Sequence, residues 1–388
     1  MSTPLRAKSP EHKKFHLIDA IDNSFSEIQE RLGIKITEIQ RTKKIYGSNS
    51  NVFFVKTVSA NNIPTTYLLK FGRDKSIDDE LKGDLCINGL LNTPKMVMSS
   101  KKKLDGHEWI LYEYMPGRLM IEELATLREN RKLIQFYELE KQKESYLAKL
   151  HVQTKSLIDY QDYIKSRGNK LFRDRLLGNG YKEFYETDQK NISSLFDRVI
   201  TVNDVRLPLT INQIVDGIKD KYNASHPNKI MGFIGHGDAH HGNIIIGEDI
   251  FFIDNEYADN TTPFMEFAKP YYNDFLGNLF FHKHKQLNQY FKVIGYKDTG
   301  TDINIRVNYP KPLGEYLEVT KIKLEARKDT ANAKTEDFLS LNDYLFLCHI
   351  LTKDPNKYPK TVQKLFILFA ILLSTFDPHI PESILTHF

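Results

Sequence analysis

The chain changes character at Pro116-Gly117. Before it, short runs rich in β-branched and aromatic residues succeed one another at Ile34–Ile39, Lys43–Tyr46, Val52–Val58, Thr65–Phe71, Lys95–Ser99 and Glu108–Tyr114. These read as strands, with one helical pattern among them at Ile77–Leu91. Another helical pattern precedes them, where Leu17, Ile18, Ile21, Phe25, Ile28 and Leu32 recur at helical spacing before Gly33. From Leu119 onward long helical patterns take over, beginning with Arg131–Thr154. A chain of 388 residues is long enough for two domains or two large lobes. Trp109–Gly117 reads as a strand breaking into an extended linker. The expected division is a basic tail over 1–15, a first part over 16–115 and a second over 116–388.

The most informative stretch is 235–256, Gly-His-Gly-Asp-Ala-His-His-Gly-Asn-Ile-Ile-Ile-Gly-Glu-Asp-Ile-Phe-Phe-Ile-Asp-Asn-Glu. It reads as a polar loop followed by two short apolar strands, Ile244–Ile246 and Ile250–Ile253, joined by the turn Gly247-Glu248-Asp249. Asp238 and Asn243 lie before this hairpin, Asp254 and Glu256 where it ends. A loop acid and an amide five residues apart, with a strand-end carboxylate nearby, gather oxygen ligands of the kind magnesium takes and leave one carboxylate to accept a proton. A second chemistry uses His236, Asp238, His240 and His241 as a binuclear metal cluster of hydrolase type, which leaves Asn243 idle.

Lys70 stands in an otherwise apolar strand. Such a charge faces solvent at an edge, or else pairs or reaches a ligand, because burying it alone costs several kcal/mol. The next helix offers Glu80 and Asp84 one turn apart as partner, or as members of a solvated face; Glu80 has the longer reach and is taken. Gly47-Ser48-Asn49-Ser50-Asn51 is a loop whose backbone N–H groups can cradle phosphates, and equally a good hairpin turn.

The spacing His236-x-Asp238-x-x-x-x-Asn243 is that of a kinase catalytic loop, with Asp254 where a kinase carries its main magnesium carboxylate. Taken whole, His-Gly-Asp-Ala-His-His-Gly-Asn followed by Ile-Asp-Asn-Glu resembles the aminoglycoside phosphotransferase and choline kinase superfamily, over roughly residues 40–282. The resemblance implies an α+β, bilobal, protein-kinase-like fold: a small antiparallel-sheet lobe that binds nucleotide, a hinge, and a larger, mainly helical lobe. It implies an ATP- and Mg2+-dependent kinase whose phosphoryl acceptor is the hydroxyl of a small molecule. Asp238 would orient and deprotonate the acceptor, Asn243 and Asp254 would hold magnesium, and Glu256 would support the metal or its waters. Ser50 and Asn51 match the family's nucleotide loop, Lys70 paired to Glu80 would grip the phosphates, and main-chain groups near Glu113 and Met115 would hold adenine. Asp274, in Asp-x-x-Gly-Asn, would support the catalytic loop. Two departures stand out: Asn255 replaces the usual aromatic or aliphatic residue, and the gap from Glu256 to Asp274 is longer than in choline kinases.

A formal net charge of +4 suits phosphate-bearing ligands and does not point to nucleic acid. Two cysteines, Cys86 and Cys348, exclude a disulfide framework and fit a reducing compartment. The first fifteen residues have no apolar run, and Leu365–Leu373 is too short to span a bilayer, so a cytoplasmic protein without a membrane partner is expected. The basic cluster Lys165–Arg175 reads as a solvated face, or else as one that helps collect anionic ligands, and His151 as a packing or hydrogen-bonding residue rather than a catalytic one. The remainder, 279–388, reads as mainly helical, broken by polar stretches at Lys297–Asn308 and at Tyr309–Pro312. An amino alcohol, an aminoglycoside, a sugar or an amino acid all remain open as acceptor. A quaternary cation would want an aromatic box, for which Tyr309, Tyr316 and Tyr344 are available; Trp109, the only tryptophan, falls in the first part. A nucleotide-binding but inactive adaptor is the rival among non-enzymes.

Overall fold

A computed structural model describes residues 22–42, 51–100, 107–178, 195–277, 292–308, 314–331, 338–352 and 360–378. The expected tail over 1–15, the strand at Lys43–Tyr46, Ser50, Tyr309 and the stretch to Pro312 lie outside them. The chain divides into two compact units, Met1–Arg118 with Ile245–Glu256, and Leu119–Ile244 with Tyr257–Phe388. Secondary structure is segregated accordingly: an antiparallel sheet dominates the first unit and helices the second, an α+β architecture.

In the first unit, strands β1 (Ile34–Arg41), β2 (Asn51–Ser59), β3 (Pro64–Arg73), β4 (Met96–Ser99) and β5 (His107–Glu113) form one sheet in the order β1-β2-β3-β5-β4. All neighbours are antiparallel. Alternate residues of a strand face opposite sides, and this sheet is covered on both. A helix over 22–32 (α1) brings Phe25 and Ile28 onto the side formed by Phe53, Val55, Leu69, Phe71, Trp109 and Leu111. Helix α2 (Asp74–Ile87) brings Ile77 and Leu81 onto the other side, against Leu68, Ile110 and Tyr112. Full burial of a large apolar side chain contributes about 1.5–3 kcal/mol, and Phe71, Trp109 and Leu111 are all fully buried.

The hairpin Ile244–Ile246 and Ile250–Phe252 turns at Gly247, whose N–H donates to the Asp249 carbonyl at 3.0 Å. Its second strand is stitched to the segment after α2. The Phe252 N–H donates to the Asn92 carbonyl at 2.8 Å, and the Asn92 side-chain amide donates to the Asp249 carboxylate at 2.8 Å.

In the second unit, helices α3 (Met120–Glu129) and α4 (Leu133–Thr154) open the chain. A three-stranded antiparallel sheet follows, with Lys229–Gly235 between Ser156–Asp159 and Asp259–Thr261. Gly235 ends the central strand and releases the chain into the loop that carries Asp238. The apolar run Leu365–Leu373 lies within the helix Lys360–Thr375 and is buried. Among the described residues, no helix is long and apolar enough to cross a membrane.

One expectation needs correction. Lys297–Asn308 is not a polar break between helices: Lys292–Asp298 and Asp302–Asn308 form an antiparallel hairpin, and the second strand pairs in parallel with Val199–Val202. Ile303, Ile305 and Val307 alternate with Asn304 and Arg306 and are buried on one face, the period of two that marks a half-buried strand.

Candidate functional site

The first unit gathers charge around Lys70. Period two places Lys70 beside Leu68 on the α2 side of β3, opposite Ile110 of β5. On α2, Ile77, Glu80, Leu81 and Asp84 lie at helical spacing, so the face that packs on the sheet also carries two acids. The Lys70 ammonium donates to Glu80 Oε2 at 2.7 Å and to Asp254 Oδ1 at 2.5 Å. Lys70 and Glu80 are buried, whereas the Asp254 side chain is 34% exposed. Burial alone pulls the lysine pKa down, yet the Asp254 and Glu80 carboxylates more than offset it and hold the ammonium charged, above its usual range. Glu80 is pushed upward, first by burial and then by the charges of Asp254 and Asp84, against the pull of Lys70.

The choice between the two acids of α2 is thereby resolved. Glu80 pairs with Lys70, while Asp84 accepts from the Tyr112 hydroxyl and from the Asn255 side-chain amide, each at 2.7 Å. Asn255, the residue after Asp254, is buried and holds the turn onto α2. Gly83 makes this approach possible: a Cβ there would lie 1.7 Å from the Asn255 carbonyl oxygen. Asp254 adopts φ +63°, the left-handed region that aspartate tolerates better than most residues.

In the second unit the loop after Gly235 is fixed from several sides. The His236 and Gly237 N–H groups donate to the two oxygens of the Glu266 carboxylate at 3.2 and 2.9 Å. Gly237 takes φ +74°, and a Cβ there would sit 2.5 Å from the Tyr257 carbonyl oxygen. The chain then presents Asp238, whose Oδ1 lies 3.3 Å from Lys269 Nζ and whose Oδ2 lies 3.9 Å from His240 Nε2. The Asn243 side-chain nitrogen donates to the Asp238 carbonyl at 3.1 Å, which leaves its amide oxygen as the atom a cation would bind. The His241 N–H donates to Asp274 Oδ1 at 2.9 Å.

Beneath this loop lies a buried ion network. Lys323 reaches Asp274 at 3.3 Å and Glu140 at 3.5 Å, Lys143 reaches Glu140 at 2.9 Å, and His241 contacts both Glu140 and Asp274. Burial alone raises the Asp274 carboxyl, but His241, Lys323 and Lys143 together hold it below the usual carboxylate range. Burial pushes Glu266 up to about 7, against Arg327 and the two backbone N–H donors. The ring of His151 stacks on Phe233 at 3.9 Å between centroids, and burial, with Arg327 behind it, lowers its pKa to about 3. His151 is thus a neutral packing residue.

The other sequence-derived candidates are placed as follows. Asn51 opens β2, backbone-paired to Phe71, and its side chain accepts from Arg41. Glu113 ends β5, with its N–H donating to the Lys95 carbonyl at 2.9 Å and its carboxylate 2.7 Å from Lys95 Nζ. Met115 lies in the irregular stretch that follows, and Glu256 follows Asn255 in a 3-10 turn. Trp109 and Tyr344 are core residues, the latter bonded through its hydroxyl to Tyr163 at 2.5 Å. Arg167, Arg173 and Arg175 spend their guanidinium groups on Asp259, Asp174 and backbone carbonyls.

The His-rich hydrolase alternative finds no support. Nδ1 of His236 accepts from the Asp238 N–H and Nδ1 of His240 from the Gly242 N–H, while His241 turns to Glu140. Among the described residues no group of three or more His, Cys, Asp or Glu is arranged to hold a metal. Sequence reasoning missed Gly83, Glu266 and Lys269. A glycine inside a helix between two acids was the available signal for the first; the other two lie between Glu256 and Asp274.

No family model matches the chain, and no curated protein matches it. Among solved structures it is similar to aminoglycoside phosphotransferase APH(4)-Ia, at 9% identity and TM-score 0.48, covering 92% of this chain and 97% of that one. It is also similar to macrolide 2'-phosphotransferase MphH from Brachybacterium faecium, at 10% identity and TM-score 0.40, covering 90% and 98%. A third likeness is to a type I macrolide 2'-phosphotransferase, at 8% identity and TM-score 0.37, covering 92% and 97%. Each likeness is distant in both identity and TM-score.

Proposed function

We propose that the chain is an ATP- and Mg2+-dependent phosphotransferase that moves the γ-phosphoryl group to a hydroxyl of a small molecule. The observation that supports this most directly is the buried Lys70 ammonium held between Glu80 and Asp254, at 2.7 and 2.5 Å. A lysine so placed, with a helix glutamate behind it and a partly exposed aspartate beside it, is the arrangement by which kinases address nucleotide phosphates. Glu80 keeps Lys70 charged and aimed, and Asp254 supplies an anionic oxygen from a turn pinned to α2.

Asp238 is the acceptor-side carboxylate. It receives the hydroxyl proton as the acceptor oxygen bonds to the γ-phosphorus and the bond to the bridging oxygen breaks, ADP leaving with the electron pair. The candidate metal donors, Asn243, Asp254 and Glu256, offer side-chain oxygens only. Such a set fits magnesium, which keeps several waters and takes its remaining oxygens from phosphates, so that few protein ligands suffice. When bound, the ion would neutralise charge on the phosphates. Asn51 and main-chain groups near Glu113 and Met115 remain the candidate nucleotide contacts.

The test is ATP turnover by the purified chain with and without Mg2+, alongside Lys70→Met and Asp238→Asn. Turnover that needs the ion and falls at least about a hundredfold in each variant supports the reading. Turnover that neither variant alters overturns it.

A further inference from the structure

The segment from Pro263 to Leu276 turns three charged groups toward the Asp238 loop. The helix runs Pro263–Tyr271, carries Pro270 in its last turn, and passes into a π-helical turn over Tyr272–Leu276. Glu266 and Lys269 are three residues apart and share a face of the helix. Asp274 follows after five residues, a spacing an α-helix would rotate away and a wider π turn brings back. Two of the three are spent on loop backbone: Glu266 receives the His236 and Gly237 N–H groups, and Asp274 receives that of His241. Lys269 differs, because it meets a side chain, that of Asp238, at 3.3 Å.

The surroundings of Lys269 are specific. It is 6% exposed, and its ammonium lies 3.6 Å from the centroid of the Tyr257 ring. An aromatic face beside the acceptor-side carboxylate is where a substrate ammonium would gain most, through the ring quadrupole and the nearby negative charge. Here that place is taken by the protein's own cation, and Asp238 Oδ1 is already faced by it. An ammonium group next to the reacting hydroxyl would meet like charge in a largely desolvated site, whereas a neutral or anionic neighbour would not.

We infer that Lys269 is a specificity-determining residue that selects acceptors in which the group beside the reacting hydroxyl is neutral or anionic, and rejects amino alcohols. The inference rests on the phosphotransferase reading and narrows it to sugars, polyols and hydroxy acids.

The experiment uses one two-carbon scaffold in three charge states, neutral ethylene glycol, anionic glycolate and cationic ethanolamine and choline, together with glucose and glucosamine. ADP release and phosphoester formation are followed for the wild type, Lys269→Met and Lys269→Arg. The expected result is kcat/KM higher by about tenfold or more for the neutral or anionic member of each set, with Lys269→Arg retaining the preference and Lys269→Met narrowing it. If ethanolamine, choline or glucosamine is the best acceptor, or if Lys269→Met folds and leaves the ratios unchanged, the inference is overturned and phosphotransfer stands. ATP hydrolysis with transfer to none of the alcohols also overturns the inference. Absence of hydrolysis as well overturns the phosphotransferase reading with it. The wild-type panel decides the matter even if Lys269→Met is insoluble.

Discussion

Adding one methyl group at Gly83 tests whether the turn carrying Asp254 is truly seated on α2. In an open helix interior Gly→Ala is stabilising, by about 1 kcal/mol. Here the new Cβ would lie 1.7 Å from the Asn255 carbonyl oxygen and 2.7 Å from its carbon, and both are backbone atoms that no rotamer change can move. Ordinary contact begins at 3.4 Å, so helix and turn must separate by more than an ångström. That opens the 2.7 Å bond from Asn255 to the Asp84 carboxylate, an interaction with a charged group worth about 1.5–3 kcal/mol. It also draws Asp254 away from Lys70, leaving a buried ammonium with one anionic partner fewer. Set against the helix gain, the hydrogen bond alone leaves a net loss of about 0.5–2 kcal/mol, to which the weakened ion pair adds. Activity should fall about a hundredfold, the usual consequence of misplacing a reacting group by an ångström. Urea melts give the first quantity and steady-state ATP turnover the second. A Gly83→Ala protein that melts later than the wild type and turns over normally would refute the reasoning, because the sign itself would be wrong.

Two further outcomes follow from the second unit. His151 has a folded pKa of about 3 against an ordinary 6.5, so below pH 6.5 the unfolded chain binds a proton that the folded chain does not, and stability falls with falling pH. Between pH 6.5 and pH 5 this group alone should cost about 2 kcal/mol. A His151→Phe variant should lose that part of the acid dependence, and identical urea midpoints against pH in both proteins would sink the assignment. Asp274→Ala removes the acceptor of the His241 N–H and one partner of the buried Lys323, and should destabilise the unit by about 3–5 kcal/mol. A loss below about 1 kcal/mol in chemical denaturation would show that the network does not hold the loop.

Much of this molecule was legible in the sequence, and for identifiable reasons. The strands of the first sheet are two-faced and short, so their apolar periodicity survives in the letters. The Lys70–Glu80 pair could be anticipated because an isolated charge in an apolar strand demands a partner and α2 offered only two acids at the right turn. The partners of Asp84 were not readable, since they come from Tyr112 and from Asn255, far along the chain. Nor does any local pattern tell that Ile245–Glu256 groups with the sheet unit rather than with the helices around it in sequence. The second strand of the hairpin over 292–308 carried a readable alternation at Ile303, Ile305 and Val307, which the overall polarity of Lys297–Asn308 outweighed. Glu266 and Lys269 escaped notice because surface and buried charges look alike in a helical pattern until the π turn fixes which side faces the loop.

The central claim is that Asp238 takes the proton of an alcohol as a nucleotide's terminal phosphoryl group moves to it. Phosphorus NMR of the chain with ATP, Mg2+ and an accepted alcohol measures this most directly, comparing wild type with Asp238→Asn at equal nucleotide occupancy. The account predicts a growing phosphoester resonance beside that of ADP in the wild type, slowed by at least about a hundredfold in the variant while ATP still binds. A phosphoester that accumulates at the same rate in both proteins would contradict it.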